Sequence, residues 1–225
     1  GKYISSTSSR MRRLANTRTC LPCEAGKYTD QIKQTRCNDA GQGEYVAGNA
    51  ATYASKCLPG TANNKGQQTS CPACTSGFFS PIAGETTCSK APTGKYVDTN
   101  SATYAIICPL GTYQDLEGQD SCKDCPKGRY NALKQRTAST ACIGCVKGTY
   151  NDQLGQPAES SCRSCSPGRY SNTNARSSEC SGCTPGRYQP SSGSTSCTTA
   201  SPGEYVAGTA ATSASKCAPG TYSAA

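Results

Sequence analysis

Apolar residues recur along this chain at fixed distances, in runs of only a few residues. The stretch Cys108-Pro109-Leu110-Gly111-Thr112-Tyr113 continues through polar residues and a second glycine, Gly118, to Cys122. Cys125 then starts the same phrase with Gly128, Tyr130 and Cys142. After the turn glycine comes a short alternating stretch, as in Gly128-Arg129-Tyr130-Asn131. A second turn signal follows at Gly66, Gly84, Gly118, Gly155 and Gly193, then a short polar strand ending in the closing cysteine. Two short segments around a glycine turn predict a β-hairpin. The disulfide would tie its ends, with the tyrosine over the sulfur atoms and the next unit's turn. One such hairpin is marginal in water, whereas stacked hairpins bury a thin continuous core.

The register holds along the chain. The anchor cysteine, or its stand-in, falls at 23, 40, 57, 74, 91, 108, 125, 145, 165, 183, 200 and 217. A glycine sits three residues after every anchor, and an aromatic residue two after that glycine in eleven of the twelve units. The exception is Ala62. Gly1-Lys2-Tyr3 reads as a further partial copy. The chain therefore divides into a partial module with a long basic loop over 1–22, six 17-residue modules over 23–124, three longer modules over 125–182, and 17-residue modules ending in a partial one over 183–225. Internal repetition of this kind predicts an array, not a globular domain.

Composition points the same way. Leu, Ile, Val and Phe total 19 of 225 residues, and Trp and His are absent. Apolar burial alone would not offset an ordering cost of about 1–2 kcal/mol per residue. The 18 cysteines are the remaining resource. Their density is that of a disulfide scaffold made in an oxidising compartment, which predicts an extracellular location. No run approaches the length of a membrane span, and no signal peptide is visible. The chain starts and stops inside a repeat, as expected of a segment or a processed subunit.

Exceptions in the repeat suggest how the cysteines pair. Anchor and closer are lost together in three units: Ala40 with Ala54, Ala91 with Ala105, and Ala200 with Ala214. Losing one disulfide partner strands a thiol, so joint loss predicts the pairs Cys23–Cys37, Cys57–Cys71, Cys74–Cys88, Cys108–Cys122, Cys125–Cys142, Cys145–Cys162, Cys165–Cys180 and Cys183–Cys197. Cys20 and Cys217 are left for another subunit or for chain outside this sequence. In the chain-entropy model a loop of about 15 residues is worth roughly 3 kcal/mol. A rival scheme closes each C-x2-C on itself, with Cys37–Cys57, Cys88–Cys108 and Cys197–Cys217 between them. A third reading takes Cys122, Cys125, Cys142 and Cys145 as a zinc site. Neighbouring four-cysteine sets overlap along the ladder, which weighs against zinc.

The net charge is +9, scattered except for Arg10, Arg12, Arg13 and Arg18. Such a balance attracts anionic polysaccharide, membrane or nucleic acid. Lys27, Lys95, Arg129, Arg169 and Arg187 precede the tyrosine, superficially like a stacking surface for bases. Glu44, Glu204 and four threonines hold the same slot, so it reads as exposed surface and no nucleic acid is expected. The disulfide-free units resemble one another: Gly43-Glu44-Tyr45-Val46-Ala47-Gly48 recurs at Gly203–Gly208, and Gly94-Lys95-Tyr96-Val97 is a looser copy. Their Ala and Val would fill the space of the absent bridge.

The phrase C-x2-C-x2-G-x-Y-x(n)-G-x(n)-C-x2-C, from Cys20 to Tyr222, resembles the ephrin-receptor-like cysteine-rich repeat, a relative of tumour-necrosis-factor-receptor and EGF-like modules. The resemblance implies small, disulfide-rich all-β modules in extracellular tandem arrays, with each anchor bonded to the next closing cysteine. Such repeats occur in receptor ectodomains and in large surface proteins of single-celled eukaryotes. The alanine units and Ala62 depart from the pattern.

The leading expectation is a structural protein, a rod or fibre building block of stacked hairpins polymerising head to tail through Cys20 and Cys217. Stacked edge to edge, each hairpin would add about two strand spacings of roughly 4.8 Å. The alternative is a ligand-binding cysteine-rich ectodomain, with candidate loops at Lys134–Ser139, Leu154–Ser161 and Arg10–Arg18. Expected partners are further copies, or a longer chain, and anionic glycans. No enzyme activity and no cofactor are expected: there is no His, and the acidic residues form no evident pair. N-x-S/T sequons are absent, leaving sugars on Ser or Thr hydroxyls as the open modification.

Overall fold

A computed structural model describes residues 20–223. The protein is a tandem array of two-stranded antiparallel hairpins with almost no helix. β1 (Lys27–Tyr28) pairs with β2 (Asn38–Asp39), in the register Lys27 to Asp39 and Tyr28 to Asn38. The same pairing recurs to the last hairpin, Glu204–Tyr205 with Ser215–Lys216. In the Cys57 unit it shrinks to a single bridge, Thr61 to Ala73. Pro72, which has no N–H to donate, stands there in the closing strand.

The closing strand does not end in the closing cysteine. It follows it, and is the x2 of C-x2-C: Lys123–Asp124 between Cys122 and Cys125, or Ser181–Gly182 between Cys180 and Cys183. The next anchor's N–H then donates to the carbonyl of the turn glycine, as from Cys74 to Gly60 at 2.9 Å. Each C-x2-C is thus a bond between units, with one cysteine closing a hairpin and the other opening the next.

The first turn of each unit needs glycine. Lys27 N–H donates to the Glu24 carbonyl at 3.0 Å, and Gly26 takes φ +87°. Positive φ at the third residue of a turn is the type II requirement. The second turn lies ten residues after each anchor and is left-handed in every described unit, with or without glycine. Gly84, Gly118, Gly155 and Gly193 hold it, but so do Lys33, Ala50, Ser101, Gln135, Ala175 and Ala210. In the Cys57 unit the left-handed residue is Gln67, not the neighbouring Gly66. The extra residues of the longer units all come after this point. Short 3-10 turns at Ser139–Ala141 and Glu159–Ser161 absorb them in the Cys125 and Cys145 units.

The hairpins do not merge edge to edge into one sheet, since each sheet stays two-stranded. Neighbours are joined by a seam of backbone hydrogen bonds between turns and loops. Ala50 N–H donates to Cys23 O at 2.7 Å, Gly26 N–H to Val46 O at 2.8 Å, and Thr29 N–H to Ala51 O at 3.1 Å. Equivalent bonds recur between later units, for example Gly118 to Ala91, Gly94 to Gln114 and Val97 to Gln119.

The core is thin and consists largely of the anchors. Cys57, Cys108, Cys125, Cys165 and Cys183 are fully buried, and Ala40 and Ala91 are equally enclosed where the bridge is missing. One further slot per unit is inward, the residue after the tyrosine. Bridged units place a polar residue there, buried at Asn63, Ser80, Gln114, Asn131, Asn151 and Ser171. Bridgeless units place a buried valine there, Val46, Val97 or Val206.

Candidate functional site

The dominant chemistry of the chain is its ladder of eight disulfides. They join Cys23 to Cys37, Cys57 to Cys71, Cys74 to Cys88, Cys108 to Cys122, Cys125 to Cys142, Cys145 to Cys162, Cys165 to Cys180 and Cys183 to Cys197. Their Cα–Cα distances run from 5.5 Å at Cys165–Cys180 to 5.8 Å at Cys23–Cys37. No C-x2-C pair is closed on itself. The four sulfurs of the zinc-like set, Cys122, Cys125, Cys142 and Cys145, belong to three different bridges and so offer no set of thiolates. Among the described residues, Cys20 and Cys217 carry no disulfide, Cys20 being exposed and Cys217 half-buried.

The buried polar slot braces the hairpin loop from within. Asn131 donates from Nδ2 to Thr112 O at 2.8 Å, in the preceding unit, while its Oδ1 accepts Leu133 N–H at 3.0 Å. Asn151 does the same with Arg129 O and Gln153 N–H. Gln114 reaches Ser121 O within its own loop and accepts Leu116 N–H. A buried amide is tolerated only when so satisfied. Where valine replaces it, an asparagine elsewhere can link the units: Asn49 Oδ1 accepts Ala25 N–H, and Asn100 Oδ1 accepts Ser76 N–H.

Charge in the strand slot before the tyrosine meets an opposite charge across the hairpin in three units. Lys27 faces Asp39 at 3.8 Å, Glu44 faces Lys56, and Glu204 faces Lys216. Two arginines of the supposed stripe are turned onto backbone, Arg129 Nη1 donating to Cys142 O and Arg169 Nη1 to Cys180 O. Lys123 Nζ donates to Asp115 Oδ1 at 2.6 Å. That hydrogen bond holds the Asp115 carboxyl below its ordinary pKa and the Lys123 ammonium above its own. The Arg10–Arg18 segment and Gly1-Lys2-Tyr3 lie outside the described residues.

One place in the array is chemically different. Where Ala62 replaces the aromatic residue, a recess of about 500 Å³ opens between the Cys57 and Cys74 units. Ala62 and Cys74 are buried within it, Phe78 forms one wall, and Asn64, Lys65 and Gln68 stand around it. Nothing in the spacing of the repeat announced it beyond the single missing tyrosine. The bridgeless units carry smaller depressions in their loops, beside Val46 and Tyr53 and beside Val97 and Tyr104. Among the described residues, no group of three or more His, Cys, Asp or Glu side chains could hold a metal ion, and no helix is long and apolar enough to cross a membrane.

Fold and bridges together define a tandem disulfide-tied hairpin array. Residues 94–138 and 168–217 match a family model described as tyrosine-protein kinase ephrin type A/B receptor-like. Those two segments are ephrin-receptor-like cysteine-rich repeats, modules of receptor-type extracellular ectodomains, and the other described units repeat the same hairpin. No curated protein matches it.

Proposed function

We propose that the array is an extracellular spacer or building block, a stiff rod whose sixteen paired cysteines are structural staples. The observation that carries this reading is the seam. From the Cys57 unit to the Ala200 unit, the residue ten after the anchor donates to the preceding unit's anchor carbonyl, and its own carbonyl packs against the turn glycine of the unit before that. Gln67 thus bonds Ala40 O and lies against Gly26, and Gly118 bonds Ala91 O and lies against Gly77. A unit held to both of its next two neighbours resists bending at every joint. The division into modules at 1–22, 23–124, 125–182 and 183–225 belongs to this reading. So does head-to-tail association through Cys20 and Cys217, a heterologous contact that would propagate into a filament. Contact with anionic glycans is the partner chemistry that the +9 charge favours. Small-angle scattering and non-reducing peptide mapping test the proposal. The expected outcome is a scattering profile of a rigid rod and a peptide linking Cys20 to Cys217 of another copy. A flexible-chain profile overturns the rod, and a Cys20 bonded elsewhere overturns the filament.

A second reading, a ligand-binding ectodomain, is favoured by the recess at Ala62, where the aromatic slot of the repeat is left small.

A further inference from the structure

We infer that the recess at Ala62 is a binding site for an acidic sugar ring, a pyranose carrying a carboxylate or sulfate. The inference deepens the glycan contact named above and rests on it. Two departures from the repeat meet at this point. Ala62 is the one place in the twelve units where the aromatic slot is left small. Phe78, in the next unit, is the one apolar residue in a slot that elsewhere holds Lys, Arg, Glu or Thr. The first removes a ring and the second supplies an aromatic wall beside the gap, while Phe79 keeps the aromatic slot of its own unit.

A volume of about 500 Å³ lies within the range of small-molecule sites, roughly 300–1,000 Å³. The lining is half apolar in character, with Ala62, Phe78 and the Cys74–Cys88 bridge on the inside and the exposed Pro72 beside them. Its polar groups are of two kinds. The Asn63 amide is already committed, donating to Glu44 O and accepting Lys65 N–H. Asn64, Lys65, Thr86 and Thr87 make no side-chain hydrogen bond and can turn to a ligand, as can the Gln68 carbonyl oxygen, whose amide donates to Gly66 O. A partner's aromatic side chain would bring at most one hydroxyl to this set. A sugar ring presents an apolar face to Phe78 and several hydroxyls to the amides and threonines. Lys65 is the one charged residue of the lining, so an anionic substituent on the ring is favoured over a neutral or cationic one.

The test is calorimetric titration of the intact chain with two probes, a tetrasaccharide alternating glucuronate and N-acetylglucosamine, and cellotetraose as its neutral counterpart. Ala62→Tyr restores the residue type of the other units and should fold; it is expected to abolish binding of the acidic probe. Lys65→Gln is expected to weaken the acidic probe at least about tenfold, the loss of a charge-assisted hydrogen bond, and to leave the neutral one unchanged. Acidic-probe binding that survives in Ala62→Tyr overturns the recess while leaving a general glycan contact standing. No binding by the parent chain up to millimolar probe overturns both. Capture of a tyrosine-containing peptide in place of either sugar would reassign the recess to a protein partner and overturn the inference.

Discussion

The carbonyl of Gly118 lies against the α-carbon of Gly77, two units earlier, so closely that a Cβ built on Gly77 would overlap it. Gly77 also has φ +84°. Two separate costs therefore meet in Gly77→Ala: left-handed strain of about 1–2 kcal/mol for a residue with a Cβ, and displacement of the backbone two units on. Gly186 separates them, because it has φ +81° but nothing within 4 Å of the position a Cβ would take. Gly186→Ala is expected to cost about 1–2 kcal/mol, and Gly77→Ala distinctly more. Denaturant unfolding of the two variants measures the difference. Equal losses would mean that the turn-to-turn contact contributes no stability.

The opposite substitution should stabilise. Ala50, Ala175 and Ala210 hold φ between +54° and +57° in the second turn, where a Cβ is unfavourable. Ala50→Gly relieves that strain and gives back part of the gain through the freer unfolded chain. The expected net gain is roughly 0.5–1 kcal/mol. A rise in the unfolding midpoint with unchanged m-value checks it. Ala210→Gly should behave alike.

Much of this architecture was legible because each unit repeats a covalent and steric rule. Cysteine, turn glycine and tyrosine recur in step, and their spacing requires a hairpin. The closing strand was misplaced because its two residues are mostly polar, variable and hidden inside C-x2-C, as in Lys123–Asp124 and Arg163–Ser164. The second turn was seen only where glycine marked it. At Ser101 and Gln135 the left-handed residue is held by a hydrogen bond to the preceding unit, Ser101 N–H to Cys74 O and Gln135 N–H to Cys108 O, a tertiary effect with no local signal. The seam to the second neighbour was invisible for the same reason. The recess at Ala62 was present in the sequence as an exception, but its volume depends on the Cys74 unit folding over it.

The slot after the tyrosine predicts a reciprocal pair of defects. Asn131→Val would leave Thr112 O and Leu133 N–H without their partners in the interior, at about 1–3 kcal/mol for each buried group left unpaired. Val97→Asn would put an amide in place of a fully buried valine, at a similar roughly 1–3 kcal/mol. Thermal unfolding of both variants should show loss in each direction, although each residue is native to its slot elsewhere. Restoring a bridge with Ala91→Cys and Ala105→Cys closes a 14-residue separation like those of the other 17-residue units, worth about 3 kcal/mol at most. The gain should be larger when Val97 is changed to Asn at the same time, if valine occupies the space of the missing sulfurs.

The Asp115–Lys123 pair sets a small acid dependence. Its hydrogen bond lowers the Asp115 pKa in the folded chain, so its stabilisation is present above the unfolded carboxyl value of 3.8 and is lost as pH falls through the lower folded value. At the alkaline end Lys123, raised above 10.5 by the same bond, contributes below that pH and ceases to as pH rises through its folded pKa. Asp115→Asn should therefore lower stability at neutral pH and not at pH 2. The pair is exposed, so raising the salt concentration should shrink the difference. Unfolding midpoints of the two chains at both pH values measure it.

Thiol accessibility tests the ladder without disturbing it. Cys20 is exposed and Cys217 half-buried, while the anchors Cys57, Cys108, Cys125, Cys165 and Cys183 have essentially no contact with solvent. A maleimide added to the single chain, before any head-to-tail linkage, should label Cys20 quickly, Cys217 more slowly, and none of the sixteen bridged cysteines. With mild reductant the Cys23–Cys37 bridge should open before the Cys108–Cys122 bridge. Cys108 is fully enclosed, with Gln135 N–H bonded to its carbonyl and its own N–H to Gly94 O, while Cys23 keeps 4% of its surface exposed. Disulfide exchange requires access as well as a reactive thiolate. Mass-spectrometric mapping after graded reduction gives the order. Simultaneous opening of all bridges would show that the units unfold as one cooperative block, with no local protection along the ladder.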